Sequence, residues 1–512
     1  MIQLIDIEVE HTIEEYATDT VLRDSVRAMQ NAVTDDVEAL DGRTVWMVNS
    51  TASGGGVAEM MPKLVSLLRA LGVETEWAVI DVDEPVFFEF TKGIHNLLHG
   101  AGDPELVDHE RSIYEATSRS VADELEDRID PEDVLVVHDP QPLAAGAMIA
   151  DGLDVHAVWR CHIGSEEHSE KSRTAWEFLR PWIADYDRTV FTLPAYVPEF
   201  LETEADIIPP AIDPFSAKNR RLKPQEAATV LARADLIDTD HPVERFDQPA
   251  RRLQTDGTFA PATDPADIGL LFRPTICQIS RWDGLKGFVP LLRGFAELKR
   301  DARSAVDASA DAGKTTNSEM NAATNGGDDS TEAGRSDAHR QRIDDARLLL
   351  VGPDPSSVAD DPEGRTALEN LEEEWLALDP DIRSDIAVVV MPPDQHDSAL
   401  VINALQRCSS VVAQNSLQEG FGLTVTEAMW KRAVLMGADT GGISAQITDG
   451  ENGRLVPDSG DTASVARTLD DVLGSLERWD DWSYNAQRSV TDNYLVFEQV
   501  TRWLDTLGAL VD

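Results

Sequence analysis

Asn415-Ser416-Leu417-Gln418-Glu419-Gly420-Phe421-Gly422-Leu423-Thr424-Val425-Thr426-Glu427-Ala428-Met429-Trp430 reads as the exit of a strand, a glycine-rich turn and the start of a helix. The residues just before it, 409–412, have the short β-branched character of a buried parallel strand. Such a turn presents backbone N–H groups at a helix N-terminus, where they can bind a polyhydroxy or phosphorylated ligand. Glu419 falls in the turn and points at the ligand. Glu427, one to two turns into the helix, reaches the same cleft from below. Two acids at this spacing could simply favour the helix N-terminus electrostatically. The glycine-bracketed Phe421 and a second glycine turn, Asp439-Thr440-Gly441-Gly442-Ile443, shift the reading toward a binding site.

Upstream, 274–280 (PTICQIS) is the first strand of the same sheet. It delivers Arg281-Trp282-Asp283-Gly284-Leu285-Lys286-Gly287 at its C-terminal end, ahead of a helix at 288–298. Arg281 and Lys286 put a forked guanidinium and a point ammonium on one turn, which suits the two phosphates of a nucleoside diphosphate. Strands follow at 347–352 and 386–391, and a helix at 400–409. The intervening 301–343 is rich in Ala, Asp, Ser, Thr, Asn and Gly and poor in large apolar residues. It reads as a disordered insertion whose removal would leave the fold nearly intact. Residues 214–265 carry local helices and then a Pro/Asp/Thr-rich stretch, and the tail is helical.

In the first half, 44–49 is a buried strand, 50–56 a flexible turn ending in three glycines, and 57–71 a run of helical spacing closed by Gly72. With the strand at 73–80 this makes a βαβ unit. The turn lacks the spacing of a dinucleotide-binding GxGxxG, which disfavours NAD, but Gly55 and Gly56 let a substrate or phosphate approach the backbone. Strands at 133–138 and 155–159 end in His138-Asp139 and Arg160-Cys161-His162. Polar side chains delivered at strand C-terminal ends line the crevice of an open α/β sheet. Residues 1–42 read as an acidic helical lead-in without a site.

Acidic residues outnumber basic ones 94 to 44, a net charge of −50, and only nine of the 44 are lysine. Such a field repels nucleic acid and anionic membranes. No apolar run approaches the roughly 18 residues of a membrane span, and MIQLIDIEVEH lacks the regions of a signal peptide. A cytoplasmic, halophilic protein is the expectation, its spread-out acids being solvated surface screened by molar salt. Cys161, Cys277 and Cys408 are far apart beside apolar segments and read as buried free thiols, with no metal or disulfide role.

EGFGLTVTEAMWKRAV and GGISAQITDGENGRLV resemble the retaining nucleotide-sugar glycosyltransferases of the GT-B fold, family 4 type. FTKGIHNLLHG, VVHDPQPL, VWRCHI, IIPPAIDPFSAKN and QISRWDGLKGF narrow the resemblance to the trehalose synthase (glycosyltransferring) and trehalose phosphorylase branch, over about residues 40–460 apart from the insertion. The resemblance implies an α/β protein of two Rossmann-like domains facing across a cleft. An acceptor domain spans 1–212, a nucleotide-sugar domain 213–478, and helices at 479–512 cross back to the first. It implies donor contacts at Gly55, Gly56, Arg281, Lys286, Glu419, Gly420, Phe421, Gly422 and Glu427, with Glu419 on the transferred sugar and Glu427 on the ribose. Acceptor contacts fall to Asp139, Arg160 and His162, and catalysis to Arg281, Lys286, Glu419, His162 and Asp139. Gly164 departs from the pattern, which has an acidic residue there; either Glu166 takes over or the acceptor differs.

The implied reaction moves glucose from a nucleotide-activated glucose to free glucose with the α configuration retained. Arg281, Lys286 and the Gly55–Gly56 backbone would stabilise the charge growing on the leaving diphosphate. No cofactor or metal is expected if these cations do that work. The partners are then a sugar nucleotide and glucose, with a homodimer as the candidate assembly. A phosphorylase using inorganic phosphate and a catalytically silent sugar-nucleotide-binding regulator are the alternatives, and a glycosidase is disfavoured because it needs no phosphate clamp. The charge yields a test. In dilute buffer the acidic surface repels itself, so the melting temperature and activity should rise as salt shortens the Debye length. Melting and turnover that are the same in dilute buffer as in molar salt would rule the halophilic reading out.

Overall fold

The computed structural model describes residues 2–52, 56–166, 169–201, 205–239, 242–261, 268–315, 336–355 and 362–511, with the backbone alone at 305–315 and 362. By internal contacts the chain divides into two units, Met1–Asp213 with Thr491–Asp512, and Pro214–Val490. Each is built on its own mostly parallel sheet.

The first unit's strands are β1 (Ile2–Leu4), β2 (Val45–Asn49), β3 (Thr75–Ile80), β4 (Val134–His138), β5 (His156–Cys161), β6 (Arg188–Phe191) and β7 (Ala205–Ile207), in the spatial order β1-β3-β2-β4-β5-β6-β7. The apolar runs VWMVN and VLVVH are buried at every position, as parallel strands covered on both faces require. β2 pairs in parallel with both β3 and β4, so the strand order reverses there. A crevice opens at such a switch point outside the strands' C-terminal ends. His138 ends β4 and Cys161 ends β5, so the polar residues after them emerge along that same edge. The lead-in is more than helical: β1 runs antiparallel to β3, pairing Ile2 with Ile80. Three residues are too few to show a period-2 pattern. The C-terminal helix Val496–Val511 returns to this unit, burying Trp503, Leu504 and Leu507 against the helices Arg23–Ala32 and Thr34–Ala39.

The second unit's strands are β8 (Arg251–Leu253), β9 (Phe259–Pro261), β10 (Thr275–Ile279), β11 (Arg347–Gly352), β12 (Ile386–Val390), β13 (Val411–Gln414), β14 (Val434–Ala438) and β15 (Arg454–Val456), ordered β15-β14-β13-β10-β11-β12-β8-β9. Here the order reverses at β10, which pairs in parallel with β11 and β13. The antiparallel hairpin β8–β9 extends the β12 edge within the stretch read as helices and loop. The helix Trp479–Asn493, expected to begin the return to the first unit, stays with the second for most of its length. Trp482 is buried there with Nε1 donating to Gly450 O at 2.8 Å, and Gln487 donates to Trp430 O at 2.8 Å. The crossing begins at Thr491.

The segment 301–343 is not a simple insertion. The helix starting at Phe288 continues to Thr315, and a second helix spans Asp337–Asp345. Ala302 and Ile343 are 1% and 0% exposed in the unit's core. Fully buried Lys299 meets Asp385 at 2.7 Å and donates to the carbonyls of Ile343, Asp344 and Ala346. Arg303 bonds the same Asp385 at 2.7 Å and Asp344 at 2.9 Å. Low overall hydrophobicity hid these few anchors, which sit at the two ends of the segment; residues 316–335 lie outside the described ones. Excising 301–343 should therefore destabilise the second unit severely. Losing Ile343 alone costs about 2–5 kcal/mol by analogy with other large-to-small core changes. Chemical denaturation of the deletion variant checks this, and an unchanged midpoint would show that these anchors carry no stability.

Candidate active site

In the second unit, the carboxylate predicted to face a sugar and the ammonium predicted to face a phosphate lie together. Lys286 Nζ donates to both oxygens of Glu419 at 2.9 Å, with the two side chains 14% and 12% exposed. Glu419 Oε2 also accepts from Ser416 Oγ at 3.0 Å and from Gln414 Nε2 at 3.4 Å. The loop carrying Lys286 is tied down from behind. Gln278, a fully buried amide in β10, donates to Lys286 O at 2.6 Å and accepts from Asn415 N at 2.9 Å. Asn415 Nδ2 donates to Gly287 O at 3.2 Å and Ser459 O at 2.9 Å. Gly287 has φ +63°, and a Cβ there would lie 1.9 Å from Asn415 O, so this turn accepts no side chain. Arg281, on the same loop, is exposed and forms no ion pair among the described residues.

Gly422, at φ +83°, caps the helix Leu423–Trp430 from the left-handed region. Phe421 is 7% exposed, and its backbone lies so near the second glycine turn that a Cβ on Gly442 would meet Phe421 Cα at 2.2 Å. Gln446 fastens the two turns, donating to Phe421 O at 2.6 Å and Gly442 O at 2.9 Å. Glu427 is 8% exposed. Beside it, buried Lys431 donates to Glu427 O at 3.0 Å and Asn219 Oδ1 at 2.9 Å. Burial pulls the Lys431 ammonium well below the usual lysine range, with the Glu427 charge acting the other way.

The first unit gathers Asp139, Arg160 and His162, and adds His138. Asp139 holds φ 66°, ψ −179°, a region that is nearly glycine's alone. Three bonds impose it: its N–H donates to Arg160 O at 2.8 Å, its carbonyl accepts from Trp159 Nε1 at 3.1 Å, and its Oδ1 accepts from His162 N at 2.8 Å. Strain of this kind, costing about 1–3 kcal/mol, clusters at functional sites. Arg160 is 1% exposed and donates through Nη2 to Ile208 O at 2.6 Å and Thr192 Oγ1 at 3.2 Å. Its Nε and Nη1 are buried without a hydrogen-bond partner among the described residues. Burial, and then the Arg160 charge, push the His138 imidazole down to about 3 and His162 well below the usual histidine range. Burial raises the Asp139 carboxyl to about 6, against the His162 N–H and Arg160, which favour its charge.

Residues 47–198 match the family described as trehalose synthase, N-terminal domain, and 338–489 match glycosyl transferases group 1. The trehalose synthase of Pyrococcus horikoshii is 32% identical over 486 residues, covering 93% of this chain and 92% of its own length. The chain belongs to the trehalose synthase family of glycosyltransferases. A trehalose phosphorylase of Grifola frondosa is 23% identical, over 89% of this chain and 56% of its own. A UDP-forming trehalose-phosphate synthase of Burkholderia xenovorans has the same GT-B fold, with a TM-score of 0.61 at 17% identity over 92% of this chain and 98% of its own.

Within this family's frame, Gly164 has a steric reason: a Cβ there would meet the Tyr196 ring at 2.4 Å. Glu166 is exposed, and Glu167 lies outside the described residues, as does Gly55. Gly56 opens the helix Gly56–Ala70, and a Cβ there would meet nothing within 4 Å among the described residues. Sequence reasoning passed over Gln278, Gln414, Ser416 and Lys431. A polar residue inside β10 and another closing the apolar run of β13 were the available signals for the two glutamines. The Asp139 shift has a definite sign. A carboxyl whose folded value is raised takes up a proton on folding at mildly acid pH, so its contribution to stability falls as pH rises from about 4 through about 6. Asp139→Asn keeps the acceptor oxygen and removes the buried charge. It should be more stable than the parent at pH 7, by about 1–3 kcal/mol, and equal to it below about pH 4. Urea unfolding across this range tests that, and a parallel pair of profiles would contradict it.

Proposed function

We propose that the chain transfers glucose from a nucleotide-activated glucose to free glucose, with retention, and so makes trehalose. What carries this reading is the match to trehalose synthases along nearly the full length of both chains. The second-unit geometry supports it. Departure of a nucleoside diphosphate leaves an oxocarbenium-like sugar and a growing negative charge on the leaving oxygen. Lys286 and exposed Arg281, on one loop at the end of β10, supply cations for that charge, and a fixed donor stabilises charge without reorganising when it appears. Glu419, oriented by Lys286 and Ser416, accepts hydrogen bonds from hydroxyls of the donor hexose. Gly420, Phe421 and Gly422 give the hexose a backbone wall, and Glu427 takes the ribose. Asp139 and His162 position the acceptor sugar, with Arg160 behind them. The leaving phosphate accepts the acceptor's proton on the same face, so no protein nucleophile is assigned. The structural relative's name, UDP-forming, favours a nucleotide donor over inorganic phosphate. The full-length match favours a synthase over a phosphorylase, whose relative is covered only to 56%.

Incubation of glucose with ADP-, UDP- and GDP-glucose, and separately of trehalose with phosphate, tests the reading. Trehalose formed with release of a nucleoside diphosphate is expected. Glucose phosphate from trehalose and phosphate, without nucleotide-dependent synthesis, would make the chain a phosphorylase. Lys286→Ala and Arg281→Ala should each lower kcat by about 10²-fold, as lost oxyanion donors do, and weaken donor binding while leaving the glucose dependence little changed. Normal donor kinetics in both variants would place the nucleotide elsewhere.

A further inference from the structure

His138 ends β4 and His162 follows β5, and the two are bonded to each other: His138 Nδ1 and His162 Nε2 are 2.8 Å apart. The ring planes differ by 14° and the centroids are 5.2 Å apart, as wide as a 2.8 Å N···N contact permits. The imidazoles therefore meet edge to edge, nearly coplanar, in the geometry of an N–H···N hydrogen bond and not of a face-to-face stack. His138 is 2% exposed, with Trp503 of the C-terminal helix packed at 6.1 Å, whereas His162 is half-buried.

One proton occupies the bond between the rings, so two neutral arrangements exist. If His162 donates through Nε2, the His138 proton must sit on Nε2, which is buried and without a partner among the described residues. A buried N–H left unpaired costs the full desolvation of a donor. If His138 donates through Nδ1, its Nε2 carries only a lone pair, and the proton of His162 moves to Nδ1. His162 Nδ1 makes no hydrogen bond among the described residues, and His162 is only half-buried, so water or a ligand can pair it there. The second arrangement leaves no orphaned donor. Arg160 keeps the pair neutral: its buried cation opposes a further proton on either ring, so each imidazole carries one.

We propose that His138 is a positioning residue whose Nδ1–H donates to His162 Nε2, fixing His162 as the Nδ1–H tautomer so that it donates to an oxygen of the bound sugar. The inference rests on the reading of His162 as a sugar-contacting residue and adds the residue that sets its proton. The His162 backbone N–H is already held by Asp139 Oδ1, so ring orientation and ring tautomer are fixed by separate neighbours. A tautomer imposed by an outer partner is how ligating imidazoles are set in other sites.

The test reads the proton directly. Protein labelled with 15N in its 11 histidines gives long-range proton–nitrogen NMR correlations that separate a protonated ring nitrogen from a bare one, assigned with the His138 and His162 variants. At pH 7 His162 should be protonated at Nδ1, and His138 at Nδ1. His138→Leu removes the donor: His162 should then shift toward Nε2–H, and kcat/KM should fall by about 10- to 100-fold, by analogy with lost outer partners of metal-ligating imidazoles. His138→Asn places an amide N–H near the Nδ1 position and should restore both the Nδ1–H tautomer and most of the activity. An Nε2–H His162 in the parent would overturn the proposal, as would Leu and Asn variants with the same tautomer and turnover. Should the Leu variant not fold, the parent spectrum and the Asn variant decide. The spectrum needs no substrate, so an Nδ1–H His162 in a chain that transfers no sugar would support the pairing and count against the proposed activity.

Discussion

One ammonium holds both oxygens of Glu419, and the second unit's site depends on that pair. A carboxylate this far from water would be costly to keep charged alone, by several kcal/mol. Lys286 removes that cost, and Ser416 and Gln414 occupy further acceptor positions. The pair also fixes two loops against each other, since Lys286 follows β10 and Glu419 follows β13, neighbours in the sheet. Their spacing is set by backbone, through Gln278 bridging Lys286 O and Asn415 N and through the contact at Gly287 that excludes any Cβ. An anion binding near Lys286 meets a cation whose position is already decided, which is the condition under which a fixed charge aids catalysis most.

The first unit meets a different constraint: it buries a guanidinium beside two imidazoles. Arg160 has Asp139 as its charged neighbour, and each moderates the other's cost of burial. Asp139 in turn holds a backbone conformation that an L-residue rarely adopts, while its carboxylate accepts from His162 N and its N–H donates to Arg160 O. The strain, the buried cation and the neutral histidines are one arrangement, placed where the strand order reverses.

How much of this was legible in the sequence depended on the length of the signal. β2, β4, β10 and β11 are long apolar runs and emerge within two residues of where the pattern puts them. β1, β8 and β9 have three residues each, and β8 reads RRL, so neither period nor hydrophobicity marks them. Composition averaged over 301–343 concealed Ile343 and Arg303, whose importance is positional. The Arg281–Lys286 loop and the Glu419 turn stood out because each gathers its charged residues and glycines within a few consecutive positions. The His138–His162 bond joins residues 24 apart, and nothing in either segment states that the rings meet. Gly164 looked like a missing acid; the Tyr196 ring shows that its own backbone position admits no side chain.

The same reasoning accounts for where lysine survives. A chain with a net charge of −50 that keeps nine lysines among 44 basic residues has little use for them as surface charge. Lys299 is fully buried, Lys431 is 7% exposed and the Lys286 side chain 14%. Each sits where a compact ammonium with three donors converges several oxygens: Lys299 on three carbonyls and Asp385, Lys431 on Glu427 O and Asn219, Lys286 on the two oxygens of Glu419. For Lys299 and Lys431, whose acceptors converge from separate groups, a planar guanidinium built to meet one flat partner in a fork fits poorly. Arginine instead carries the exposed pairs, such as Arg293 with Glu374 and Arg300 with Asp379. Scarcity alone does not mark a site, since Lys92 and Lys223 are exposed; Lys286 is set apart by the partner it holds, both oxygens of the enclosed Glu419 at the end of the neighbouring strand.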